Sequence, residues 1–373
     1  MLYTDLVQPI TQTAALGELA EKLRLQPVIA VDTESNSLYA FKERVCLVQI
    51  SAGGVDWLVD PLALGELSPL APLFANDKIE KIFHAAEYDV ICLKRDFGFR
   101  FANLFDTLIA ARILGRKEVG LGSLLQAEFG VEQDKRHQRA NWGIRPLPPE
   151  LLHYAEQDTR YLIPLRQRLG EQLQAKGLWE LAQEDFRRVC LIENHALEED
   201  DAWWRVPHAN ELTPQQAAVL QELYRYRDQV ARMLDRPRFK VIGTETLFTL
   251  AQNCPGRTDD LRYLPGMTPP QVRRHGRAIL QAVQRGLDSK PLIFPHPKRP
   301  DERYLNRLDR LREWRKAKGR EMGVESDVVL PKDLMHALAE QAPHEAVALA
   351  QVLASAPWRL ERWGEEILRV VKR

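Results

Sequence analysis

Over the first hundred positions the apolar residues fall into short runs separated by turns. After Pro27 come Val28, Ile29, Ala30 and Val31, four consecutive apolar residues of which three are β-branched, the signature of a buried strand. That run leads into Asp32-Thr33-Glu34-Ser35. Ser35 to Arg44 is polar and reads as a loop, and Val45 to Ile50 as a second strand. Gly53-Gly54 supplies a hairpin turn, and Val55 to Asp60 reads as a third strand closed by Pro61. A helical stretch is expected at about Leu62 to Asn76 and a short fourth strand at Lys81 to His84. Helical spacing marks Ala85 to Phe97, Asp106 to Leu114 and Leu121 to Phe129. Three meander strands followed by alternating strands and helices predict a ribonuclease-H-like α/β domain, a mixed sheet flanked by helices.

Val131 to Pro149 breaks the pattern. Asp134 to Pro146 holds Lys135, Arg136, Arg139, Arg145, Gln138 and an exposed-looking Trp142. It reads either as a surface loop or as a substrate wall, because cations hold phosphates and aromatic rings stack on bases. Pro148-Pro149 opens a helix, and helical pattern continues to about His195. Four acids, Glu198 to Asp201, then mark a linker.

Beyond them the chain repeats itself at a shift of 88 residues. Leu220, Leu223, Arg227, Val241, Leu250 and Ala251 meet Leu308, Leu311, Arg315, Val329, Leu338 and Ala339. Pro269, Arg274, Gly276, Ile279, Leu280 and Val283 meet Pro357, Arg362, Gly364, Ile367, Leu368 and Val371, and Tyr226 meets Trp314. Leucines at helical spacing with Pro/Gly breaks make each repeat a small helical module. The expected organisation is an α/β domain over 1–197, a linker over 198–210, a helical domain over 211–290, a proline-rich linker over 291–300 and a second helical domain over 301–373.

Composition narrows the class. The 373 residues are 45% hydrophobic and 28% charged, with 52 basic and 52 acidic side chains, so no global field points to a nucleic acid or a membrane. The charge is local: residues 271–320 carry 15 Lys+Arg against 5 Asp+Glu, either a footprint for phosphate backbones or a solvated face balanced elsewhere. Cys46, Cys92, Cys190 and Cys254 are scattered, which argues against a disulfide framework or a zinc site. A signal segment and a run of 18 apolar residues are missing from the pattern, so a cytoplasmic protein without membrane partners is expected, and a monomer.

The candidate chemistry lies in carboxylates. Asp32 and Glu34 are two apart on a strand and project to one face. Asp89 stands one turn into the helix that follows His84. Tyr154 and Asp158 are four apart, on one helix face. Asp-x-Glu at a strand end, then Asp, then Tyr-x-x-x-Asp, in this order and on these elements, resembles the DEDD exonucleases of the subgroup with tyrosine in the third motif, and among them the ribonuclease D family. Phe83-His84-Ala85-Ala86-Glu87-Tyr88-Asp89, His153-Tyr154-Ala155 with Asp158, and Asp134-Lys135 with Gln138 and Asn141-Trp142 carry the likeness. The repeats resemble HRDC modules, most clearly at Leu234 to Val241. His84 stands where proofreading exonucleases often have Asn. The second repeat has Leu353-Ala354 in place of Pro265-Gly266.

Hydrolysing a phosphodiester requires an activated water and neutralised charge on the leaving oxygen, which two divalent cations about 4 Å apart supply. Clustered acids without a Cys/His array suit Mg²⁺ or Mn²⁺. The resemblance implies that Asp32 bridges both ions, that Glu34 and Asp158 complete the first, that Asp89 holds the second, and that Tyr154 orients the attacking water. His84, Lys135, Gln138, Trp142 and Arg145 are candidates for holding substrate. His84 and Asp106 also suit structural roles in the core or at a helix cap. The implied activity is 3′→5′ removal of nucleoside 5′-monophosphates from RNA, with tRNA precursors and other small structured RNAs bearing 3′ extensions as partners. Alternatives are a 3′→5′ DNA exonuclease in repair and an inactive RNA-binding protein.

Overall fold

A computed structural model describes residues 7–134, 136–193, 201–294 and 301–372. Five strands form the sheet: β1 (Val28–Ser35), β2 (Val45–Ala52), β3 (Val55–Val59), β4 (Glu80–Phe83) and β5 (Leu104–Asp106). The order across the sheet is β3-β2-β1-β4-β5. The first three pair antiparallel, while β1–β4 and β4–β5 pair parallel. This is the mixed sheet that the element order predicts. β5 is only three residues long, too short for periodicity to reveal, so the expected helix from Asp106 begins instead at Thr107. The expected helix over Leu62 to Asn76 is broken into three short turns. Gly65 leaves the first with φ +79, and Pro69 and Pro72 each remove a donor.

The longer helices are α1 (Thr13–Arg24), α2 (Glu87–Phe97), α3 (Thr107–Ile113), α4 (Leu121–Phe129), α5 (Pro149–Arg160), α6 (Leu162–Ala175) and α7 (Trp179–Leu191). One face of the sheet, through Ile29, Val31, Val48 and Ile50, is covered by α1 and α2. The other face, through Ala30, Ile82 and Phe105, is covered by α3, α6 and α7. On this second face α5 lies over β1, β2 and β3, where Leu47 and Leu58 meet Leu151, Leu152 and Ala155. Ser51 Oγ and Thr159 Oγ1 share a 2.6 Å hydrogen bond on the same face.

The chain forms two compact units. The first joins residues 1–35 and 45–194 with 300–373. Its C-terminal part holds α11 (Glu302–Met322), α12 (Lys332–Gln341) and α13 (Pro357–Lys372) around Leu308, Leu311, Leu338, Trp363 and Ile367. The joint with the sheet domain is tight. Val328, with Met322, Val324 and Trp358, packs into the core of α3, α6 and α7. A Cβ added at Gly115, whose φ is +76, would stand 2.6 Å from the carbonyl oxygen of Gly323. Arg359 and Glu184 are both fully buried and form an ion pair there, and Arg359 also donates to Asp185 Oδ1 at 2.8 Å. Arg112 Nη2 adds an ion pair, donating to both carboxylate oxygens of Asp327 at 2.7 Å.

The second unit joins 36–44 with 195–299. It contains α8 (Pro214–Met233), α9 (Thr244–Asn253) and α10 (Pro269–Asp288). A Cβ at Gly286 would meet the Val219 Cα at 2.4 Å, so only glycine allows α10 to approach α8 this closely. Of the acidic run, Asp201 accepts from Gln221 and Arg225, and Glu198 to Asp200 lie outside the described residues. The loop that follows β1 belongs to this unit. Phe41 lies under the guanidinium groups of Arg238 at 4.6 Å and Arg232 at 5.1 Å. Its N–H donates to Asp235 Oδ1 at 3.0 Å, and Lys240 Nζ sits 4.1 Å from the ring of Tyr39.

Candidate active site

The alternation of β1 decides where its acids go. Ala30, Asp32 and Glu34 face the α5 side, and Thr33 faces the side of α2. Asp158, on α5, comes down onto the two strand acids, and the ligand oxygens of Asp32, Glu34 and Asp158 lie within 4.8 Å of one another. Asp89 arrives from the opposite face as the third residue of α2. It is 6% exposed and accepts a short hydrogen bond from the Thr33 hydroxyl. The turn that launches α2 is pinned by Asp106. Its carboxylate accepts from the N–H of Ala85 at 3.1 Å and of Ala86 at 2.7 Å while capping α3 through Leu108 and Ile109. Ala85 has φ +62, a left-handed conformation costly for alanine, and the Asp106 bonds hold it there.

Burial raises every carboxyl in this cluster, and the charge of Asp32 raises the other three further. Desolvation pushes Asp32 up to about 7. Burial, and then the charge of Asp32, push Asp158 up to about 8 against a 2.7 Å hydrogen bond from Gln133. Glu34 reaches about 10 through burial and the charges of Asp32, Asp158 and Asp89. Asp89 rises well above the ordinary range, first by burial and then by Asp32. Asp158 Oδ2 is buried with no hydrogen-bond partner among the described residues. Crowded oxygens of one sign, one of them unpartnered, fit a hard divalent cation. Cys and His are missing from the set, which does not fit zinc.

The surroundings match known proteins. Residues 7–174 fit the family model described as 3′-5′ exonuclease, and residues 216–283 and 305–371 each fit the HRDC domain model. Ribonuclease D of Pseudomonas paraeruginosa is 31% identical over 98% of this chain and 98% of its own length.

The chain belongs to the ribonuclease D family.

Ribonuclease D of Escherichia coli is 31% identical over 78% of this chain and 77% of its own. The structure of that enzyme, described as an exoribonuclease involved in structured RNA processing, covers 98% of both chains at 26% identity with a TM-score of 0.72. The catalytic core of RRP6 from Trypanosoma brucei covers 77% of this chain and 81% of its own at 29% identity, with a TM-score of 0.66. The protein is therefore an enzyme, a 3′→5′ exoribonuclease, of a metal-dependent exonuclease family. Among the described residues no helix is long and apolar enough to cross a membrane.

The remaining predicted residues separate. Tyr154, 6% exposed, sits on α5 one turn before Asp158, with burial and then the nearby acids raising its pKa. The rings of His137 and Trp142 stand 5.8 and 6.0 Å from it, and exposed Gln138 hydrogen-bonds to it. His84 bonds Thr107 Oγ1 at 2.9 Å, and burial lowers it to about 4, so it is neutral at physiological pH. Lys135 lies outside the described residues. Two expectations change. Trp142 is 1% exposed, packed with Leu47, Leu58 and Tyr154, so its ring offers no open face for a base. The Arg145 guanidinium forks onto Asp60 at 2.6 and 2.7 Å and donates to the carbonyls of Cys46 and Trp142, so it holds the loop rather than a phosphate. Thr33 and Gln133 are partners of the acids that sequence reading passed over. Thr33 carried a signal, since alternation puts the hydroxyl between two acids onto the face from which Asp89 comes.

Proposed function

We propose that Asp32, Glu34, Asp89 and Asp158 hold two divalent cations, Mg²⁺ or Mn²⁺, and that the enzyme releases nucleoside 5′-monophosphates from RNA 3′ ends. The observation that carries this is the set of three carboxylates within 4.8 Å, with Asp89 tied to the same strand through Thr33. Cations bound there would neutralise the phosphate and lower the pKa of the attacking water. Asp32, central to the electrostatics of the other three acids, is the bridging ligand in this reading. Burial keeps the Tyr154 hydroxyl protonated in the metal-free protein, so in this reading it is a donor rather than a base. It orients the water by its hydroxyl. Gln138, exposed beside Tyr154, and His84 contact the terminal nucleotide.

The substrates in this reading are tRNA precursors and other small structured RNAs with single-stranded 3′ extensions. The coverage of the Escherichia coli enzyme, described as acting in structured RNA processing, supports it. In this reading the enzyme works as a monomer in the cytoplasm, and cysteines scattered along the sequence without a Cys-x-x-Cys pair suit a reducing compartment. The test uses labelled RNA and matched DNA with 3′ overhangs, with and without Mg²⁺ or Mn²⁺. Stepwise release of 5′-monophosphates from RNA only with cation, lost in Asp32→Asn while RNA binding persists, is the expected result. Activity retained in Asp32→Asn refutes the ligand assignment, and faster trimming of DNA refutes the choice of RNA.

A further inference from the structure

The face of the sheet under α5 carries a polar side chain whose partners the fold does not supply. Gln49, in the middle of β2, is 1% exposed, yet neither Nε2 nor Oε1 has a hydrogen-bond partner among the described residues. A buried amide left this way is costly, and an apolar side chain of the same shape avoids that cost. Its location is specific. In the ladder Gln49 pairs with Asp32 on one side and Leu58 on the other. Paired residues project to one face with Cβ atoms about 4.5–5.5 Å apart. Ser51, two residues along, meets Thr159 of α5, whose neighbour Asp158 stands over Asp32 and Glu34.

Two other buried polar atoms on this face, Asp158 Oδ2 and Trp142 Nε1, make no hydrogen bond of good geometry among the described residues, and the carboxyl of Asp158 is approached by the Tyr154 hydroxyl. Trp142 packs with Leu47 and Leu58, which flank Gln49 along its own strand and across the ladder. The three sets of atoms are complementary. A carboxylate oxygen only accepts, an indole N–H only donates, and an amide does both.

We propose that Gln49 is a positioning residue for the carboxylate cluster: through bound water, Nε2 donates toward the carboxylates of Asp32 and Asp158, and Oε1 accepts from the side of Trp142 Nε1. The inference rests on the reading of the cluster as a cation site. It gives buried Trp142 a role without an exposed ring, since the indole orients the amide and the amide orients the acids. Partners of metal-ligating groups alter affinity or activity by about 10–100-fold when removed.

The test uses the full chain with Gln49→Met, which keeps the linear shape, and Trp142→Phe, which keeps the ring and removes the donor. Mn²⁺ affinity by calorimetry without RNA, metal-free melting, and kcat and KM on short single-stranded RNA are the readouts. Gln49→Met is expected to melt no lower than the parent without metal, to bind Mn²⁺ about 10-fold or more weakly, and to lose kcat by a similar factor with KM little changed. Trp142→Phe loses less in the same direction, and the double variant is no worse than Gln49→Met. A folded Gln49→Met with parental Mn²⁺ affinity and kcat overturns the proposal. Should that variant not fold, parental affinity in Trp142→Phe overturns it. Asp32→Asn is the control: if it binds Mn²⁺ as the parent does, the cation reading falls and this proposal with it, whereas a silent Gln49→Met alone sinks only the positioning role.

Discussion

The two helical modules are copies at a fixed shift, and they differ most where they attach. Gln271 in the first module and Arg359 in the second occupy equivalent positions, and both donate to equivalent carbonyls, Gln271 Nε2 to Val241 O at 3.2 Å and Arg359 Nε to Val329 O at 2.9 Å. The bond inside the module has been kept while the side chain grew a charge. In the second module that charge reaches buried Glu184 and half-buried Asp185 of the sheet domain. One residue earlier, Pro270 has no N–H, whereas its counterpart Trp358 donates to Glu184 Oε2 at 2.5 Å. Elsewhere Asp235, Arg238 and Lys240, which grip Tyr39 and Phe41, correspond to Gly323, Ser326 and Val328, of which Gly323 and Val328 lie at the apolar joint with the sheet domain. The same surface of one module thus holds a polar loop through cations, and that of the other is built into a core. Even an internal pairing has switched: Tyr226 and His275 share a 2.8 Å hydrogen bond, where Trp314 and Trp363 meet edge to face at 6.1 Å.

The largest test of this contrast is Arg359→Ala against Gln271→Ala. Removing Arg359 leaves Glu184 buried and unpaired, a loss of about 3–5 kcal/mol in a urea or thermal melt. Removing Gln271 forfeits one neutral hydrogen bond, about 1 kcal/mol. Equal losses would break the contrast. Next, Trp358→Pro copies the first module and removes both the hydrogen bond to Glu184 and the ring packed at the joint, about 3 kcal/mol or more, without disturbing the start of α13, since α10 opens with the same Pro-Pro pair. A smaller effect, about 1–2 kcal/mol, is expected for Phe41→Ala, which removes two solvent-facing cation–π contacts. It should appear as faster proteolysis within residues 36–44.

The last contrast is a pH dependence carried by the buried acids of the first unit. In the metal-free protein Asp32, Asp158 and Glu34 titrate at about 7, 8 and 10, against about 4 for free carboxyls. Above pH 4 the folded site therefore holds more protons than the unfolded chain, so stability falls as pH rises through 7 and beyond. Between pH 6 and 9 the melting temperature of the unit with the acids should drop, because each of the three acids binds fewer extra protons as the pH rises, and Mg²⁺ or Mn²⁺ should reverse the drop more strongly at pH 9. A rise in stability over that range would contradict the burial of the acids.

Much of this architecture can be read from spacing. Period two places Asp32 and Glu34 together, and Tyr154 and Asp158 share a helix face by their separation of four. The helix signal of Leu16, Leu19, Ala20 and Leu23 is equally present, and α1 is where they lie. Spacing says nothing about contacts between distant segments. Trp142 sits in a polar stretch and reads as exposed, yet its burial comes from Leu47 and Leu58, some hundred positions away in sequence. Arg145 reads as a phosphate ligand because Asp60, its partner, is 85 residues earlier. Gln49 reads as an ordinary strand residue, and only the ladder puts it beside Asp32. For the same reason Arg359 looks like one more member of a basic module.

The Arg359–Glu184 pair also has a consequence for how the enzyme is made. Its two members are 175 residues apart, an interval of roughly 9–35 s at ribosomal elongation rates. During that time α7 is already synthesised but carries a carboxylate that the finished core buries against Arg359, and its counter-charge is still being translated. The sheet domain can therefore reach its final packing only when α13 emerges, so that a newly made chain becomes a settled nuclease late, with the second module acting as the closing step of its own synthesis.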